Sequence, residues 1–105
     1  MQREEVQKME EFEKIKAENF EGIKNQFLIY TNETVIFQSY ESIIAVWNYK
    51  TQILILGRRW DYSNTTSKYL KRFINNYTTF NYDNKKQLEK LIKENNAIIY
   101  DEKLI

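Results

Sequence analysis

Cysteine, histidine and proline are absent from the 105 residues, and glycine occurs only at Gly22 and Gly57. Without cysteine there is no disulfide and no thiolate nucleophile. Without histidine there is no imidazole base and no zinc site of the usual sulfur or nitrogen kind. Two glycines cannot form a Rossmann fingerprint or a P-loop, both of which need several at fixed spacing so that backbone can approach phosphate. Nucleotide-dependent chemistry is therefore not expected, and no cofactor is implied. A serine or threonine nucleophile would have to rely on a lysine base of lowered pKa. Thr65, Thr66 and Ser67 read as helix-start residues rather than nucleophiles.

No apolar run approaches the ~20 residues of a membrane helix. The first residues, MQREEVQKMEEFEK, are charged where a signal peptide carries its apolar segment. The expectation is a cytoplasmic protein with no membrane contact. An excess of either charge sign is also missing: 16 basic and 15 acidic side chains leave +1. Electrostatic recognition must then come from local clusters, not from a field of the whole molecule.

Apolar residues make up 42% and aromatics 15%, enough material for one core in a chain of this length. The spacing of Val6, Met9, Phe12, Ile15, Phe20 and Ile23 predicts an N-terminal amphipathic helix within 1–22, running from about Glu4 to Asn19, with Gly22 as a stop signal. Its broad stripe packs on a sheet or serves as a homodimer surface. Over 26–57, QFLIYT, TVIFQSY, SIIAVWNY and TQILILG predict a four-stranded antiparallel meander, the last strand central or covered because it is apolar on both sides. Within 63–96, Tyr69, Leu70, Phe73, Ile74 and Tyr77 mark a helix capped by Ser63 or Asn64. A second helix follows Asn84, with Leu88, Leu91 and Ile92 inward and Lys85, Lys86, Lys90 and Lys93 outward. Residues 97–105 form a fraying tail or an edge strand. The fold class is α+β, a single domain over 1–105 with helices packed on an antiparallel sheet.

The densest chemistry lies at the end of the last strand of the meander, in Arg58, Arg59, Trp60 and Tyr62, next to a helix carrying Lys68, Lys71 and Arg72. Guanidinium and aromatic planes together hold single-stranded nucleic acid by phosphate pairing and base stacking. They also anchor protein interfaces, where Trp, Tyr and Arg dominate. The same residues equally suit a core-closing Trp60 and Tyr62 with arginines lying over apolar neighbours, and a solvated helix face. Asp61, Glu33 and Glu41 could share a hard metal ion, but their spacing is not diagnostic and no metal site is assigned.

Phe37-Gln38-Ser39-Tyr40-Glu41-Ser42-Ile43-Ile44-Ala45, followed by Trp60-Asp61-Tyr62-Ser63-Asn64-Thr65-Thr66-Ser67-Lys68-Tyr69-Leu70-Lys71-Arg72-Phe73, resembles a family of small proteins of phages, prophages and mobile elements in AT-rich Gram-positive bacteria. The abundance of Asn, Lys, Ile, Tyr and Phe agrees with such a genome. The resemblance covers about the middle 40 residues and transfers no catalytic residue. It implies a setting in which small accessory proteins bind one host or phage protein stoichiometrically, inhibitors of bacterial defence nucleases of the anti-CRISPR type among them. The reading is a non-enzymatic binding protein with a protein partner engaged by Arg58, Arg59, Trp60, Tyr62, Lys68, Lys71 and Arg72. Nucleic acid is the alternative ligand of the same patch.

Overall fold

The computed structural model describes residues 16–61 and 63–100. Six strands form one sheet in sequence order: β1 (Lys16–Asn19), β2 (Gln26–Tyr30), β3 (Thr34–Ser39), β4 (Ser42–Asn48), β5 (Ile53–Leu56) and β6 (Ala97–Ile99). The first five pair antiparallel, and β6 joins β5 in parallel. Between β5 and β6 lie helices α1 (Asn64–Tyr77) and α2 (Lys85–Lys93). The class is α+β, with two departures from the sequence reading.

The sheet has six strands, not four. The meander expected over 26–57 is its centre, extended on one side by β1 and on the other by β6. The expected N-terminal helix lies mostly outside the described residues, but its last turn, at Lys16–Asn19, is a fully exposed edge strand. Lys16, Ala17 and Glu18 are good helix formers, but the unpaired edge of β2 offers four registered partners, Lys16 opposite Tyr30 through Asn19 opposite Phe27. Such pairing outweighs propensity differences of a few tenths of a kcal/mol per residue. Directly after it, Glu21 at φ 52° and Gly22 at φ +72° are left-handed, so no helix runs through them. Phe20, expected on a helical stripe, instead enters the core from a 3-10 turn (Phe20–Gly22).

The core lies between the helices and one sheet face. Leu28, Phe37, Ala45, Leu54 and Leu56 come from the strands, and Leu70, Phe73, Ile74 and Leu88 from the helices. Phe73 stacks on Phe37 at 5.8 Å, which fixes α1 over β3 and β4. A bulge between Phe37 and Gln38 slips the β3–β4 register, so consecutive Ile44 and Ala45 are both buried where simple alternation would expose one. On the opposite face, cross-strand register aligns Ala17, Ile29, Ile36, Val46, Ile55 and Ile98 in one row across all six strands. Its four central members are half-buried, while Ile98 at the edge is 46% exposed.

Candidate functional site

The site grows from the way β5 ends. Gly57 donates its N–H to the Ile44 carbonyl at 2.8 Å, which brings its Cα hard against β4. A Cβ there would lie 2.1 Å from the Ile43 carbonyl oxygen, so the position admits glycine alone. The chain then turns, with the Trp60 N–H donating to the Gly57 carbonyl at 3.0 Å. Arg58 and Arg59 are exposed on this turn, while Trp60 falls back into the core at 7% exposure. Lys85 of α2 covers the indole at 5.7 Å and pairs with Asp61 at 3.8 Å. Two arginines precede a tryptophan because the turn presents the former and buries the latter.

The chain next reaches Ser63, the N-cap of α1. Its Oγ accepts the Thr66 N–H at 3.1 Å, and its hydroxyl donates to Thr66 Oγ1 at 3.0 Å. This cap stands beside the two-residue β3–β4 turn of Tyr40 and Glu41, where Tyr40 is left-handed at φ 54° and donates its N–H to the Asn25 carbonyl at 2.7 Å. Between them opens a cleft of about 340 Å³ lined by Ser39, Tyr40, Ser42, Ile44, Arg59, Ser63, Thr65 and Thr66. Six of these eight residues carry a hydroxyl and a seventh is an arginine, so the lining is rich in donors and holds no carboxylate. The FQSYES and WDYSNTTS segments, far apart in the chain, supply all six hydroxyl residues, and Ile44 and Arg59 complete the lining.

Ser39 and Thr66 are 6% and 5% exposed, yet both line this cleft. Among the described residues, no hydrogen bond reaches the Ser39 hydroxyl and none takes up the Thr66 hydroxyl proton. Gln26, the cross-strand partner of Ser39, likewise keeps a buried Oε1 without a donor among the described residues.

The seven residues singled out from sequence are only partly brought together. Arg58 and Arg59 share the exposed turn, with Arg59 reaching the cleft, and Trp60 lies beneath them in the core. Tyr62 is outside the described residues. The α1 cations disperse: Arg72 pairs with Glu21 at 2.7 Å, Lys71 donates to the Asp83 carbonyl at 3.0 Å, and Lys68 lies 5.7 Å from the Tyr69 ring centre. Glu33 and Glu41 sit on turns at opposite ends of the sheet, and no group of three or more metal-ligating side chains occurs among the described residues. None of the described helices is long and apolar enough to cross a membrane. Sequence reasoning missed the hydroxyl cleft. Its trace was the density of Ser and Thr in the two segments, where Ser63, Thr65 and Thr66 read as helix-start residues and Ser39 and Ser42 carried no reading of their own.

A small sheet with two helices on one face, capped at one end by this cleft, defines a compact α+β domain. The chain belongs to DUF8033, a family of unknown function whose model matches residues 8–90. No curated protein and no solved structure matches it.

Proposed function

We propose that this DUF8033 domain is a non-enzymatic accessory protein of a phage or mobile element that binds one host or phage protein stoichiometrically, in the manner of an inhibitor of a bacterial defence system. The observation that carries the binding reading is the convergence at one end of the sheet of exposed Arg59 and Tyr40, which line an open cleft, with exposed Arg58 next to Arg59 on the same turn. Arginine and tyrosine are favoured anchors of protein interfaces. The phage setting draws its support from the resemblance of residues 37–45 and 60–73, and DUF8033 membership neither adds to it nor subtracts from it. The nucleic-acid reading has less support, because Lys71 and Arg72 of the basic stripe are engaged by Asp83 and Glu21 within the chain.

Affinity capture from a phage-infected host lysate, with and without nuclease, tests the reading when run on the parent and on Arg58→Glu. A protein retained after nuclease, co-eluting one to one in gel filtration and lost with Arg58→Glu, supports it. Recovery that disappears with nuclease transfers the patch to nucleic acid. Trp60→Ala is a poor probe, because removing a buried tryptophan costs ~3–5 kcal/mol of stability.

A further inference from the structure

We infer that the hydroxyl-lined cleft is a binding site for a phosphate group, either the free anion or a phosphate monoester. The inference goes beyond the proposed function and does not depend on which partner the domain has. Three independent features meet there. The first turn of α1 faces the cleft through Ser63, Thr65 and Thr66, and the N–H groups of Asn64 and Thr65 have no intrahelical acceptor, so they and the helix dipole favour an anion. Arg59 contributes the one formal charge of the lining. Ser39, from the other side of the cleft, is 6% exposed with its hydroxyl unpaired among the described residues. That hydroxyl lies at the cleft wall, where a ligand oxygen can supply the partner that the described residues do not.

The number of donors selects the class of anion. A carboxylate offers about four lone-pair directions on two coplanar oxygens. The hydroxyls of Ser39, Ser42, Thr65 and Thr66 together with Arg59 and the helix N–H groups exceed that and approach from β3, β4 and α1 rather than in one plane. A tetrahedral phosphate has three terminal oxygens to distribute among them. Its charge suits an arginine fork and a helix N-terminus. With no carboxylate in the lining, a cation has nothing to pair with.

The test is an NMR titration of the ¹⁵N-labelled full chain with inorganic phosphate, O-phosphoserine, adenosine 5′-monophosphate and acetate, in parallel at constant ionic strength. Phosphate or one of its monoesters is expected to produce saturable shifts centred on the amides of Ser39, Ser42, Thr65 and Thr66. Affinity should fall about ten- to a hundredfold in Arg59→Gln, the loss of a charge-assisted bond, and clearly in Ser39→Ala. It should be unchanged in Lys86→Gln, which removes a cation elsewhere on the surface. Tighter binding of phosphoserine identifies a phosphorylated side chain as the source, tighter binding of the nucleotide a nucleotide, and equal binding the free anion. Non-saturating shifts, acetate shifts as large as those of phosphate, or equal weakening in Lys86→Gln and Arg59→Gln would overturn the inference. Partner capture in the preceding experiment can succeed with the Ser39→Ala protein, in which case the protein-binding reading stands without the phosphate site.

Discussion

Gly57 shows how one residue builds the site. The preceding strand, Ile53–Leu56, runs straight into β4, and only the absence of a Cβ lets the backbone come within hydrogen-bonding distance of Ile44 before the turn that exposes Arg58 and Arg59. Gly57→Ala would place a methyl 2.1 Å from the Ile43 carbonyl oxygen, a backbone atom that cannot rotate away. The expected result is a loss of ~1–3 kcal/mol or more in urea unfolding, as for other overpacked sites. It should be accompanied by shifted amide resonances over 57–66, since the turn and the α1 cap move with it. A variant as stable as the parent would show that β5 does not approach β4 as closely as described. Tyr40 is a further strained position, a large side chain at φ 54° with 63% exposure. It and Ser39 line the same cleft, one exposed and the other buried. Replacing Tyr40 by glycine should raise the thermal midpoint slightly, because the left-handed backbone then carries no side-chain penalty.

At the scale of the element, β1 is the least supported strand, exposed at every residue and tied to β2 by backbone pairing and one side-chain strap. In that strap the Tyr30 hydroxyl donates to Glu18 Oε1 at 3.1 Å. Burial first, and then this bond and the neighbouring Tyr77, hold the Tyr30 phenol well above its ordinary value. An unfolded tyrosine ionises near pH ~10. The unfolded chain therefore releases this proton before the folded one, so stability from Tyr30 is complete below that pH and declines as the pH climbs from it toward the folded value. Urea midpoints at pH 8 and 10.5 should differ less in Tyr30→Phe than in the parent. Some alkaline loss should remain, because Tyr82 is also raised, by burial and by the charge of Asp61. An unchanged alkaline slope in Tyr30→Phe would mean the phenol ionises as in the unfolded chain. Elements with a strong period were legible in the sequence: α1 and α2 carry their apolar residues where periodicity put them, and Ser63 and Asn84 cap them. The strand β1 was not legible, because KAEN has no alternating pattern and is a strand only through the neighbouring edge. The cleft was not legible either, since its two walls, within residues 39–44 and 59–66, are separate stretches of chain that meet only through the Gly57 turn and the β3–β4 hairpin.

For the molecule as a whole, the parallel strand β6 decides whether the sheet has a protected edge. The strand β5 is apolar on both faces, and without a neighbour its unpaired backbone would present Ile53-Leu54-Ile55-Leu56 as a template for other chains. The neighbour arrives only after α1 and α2 have crossed the sheet. It places Ala97 opposite Leu54 at 1% exposure and adds a bond from the Leu54 N–H to the Asn96 carbonyl and one from the Tyr100 N–H to the Leu56 carbonyl. Contacts between α2 and β6 couple that strand to the helical layer. A chain truncated after Asn96 loses the strand, its ladder and the buried Ala97 while keeping both helices. The expected cost is ~2–4 kcal/mol, the range of the larger losses from disrupted packing and pairing. At ~4–8 °C per kcal/mol for a domain of this size, that lowers the thermal midpoint by roughly 10 to 30 °C. Light scattering at micromolar concentration should rise with it, since every residue of the exposed edge strand is apolar. Restoring the edge in another way separates pairing from mere destabilisation. Ile55→Lys in the truncated chain places a charge on the half-buried face of the exposed strand and should suppress the scattering without recovering the midpoint. A truncated chain that is monodisperse and melts with the parent would show that β5 is protected by the helices alone and that β6 is dispensable to the fold.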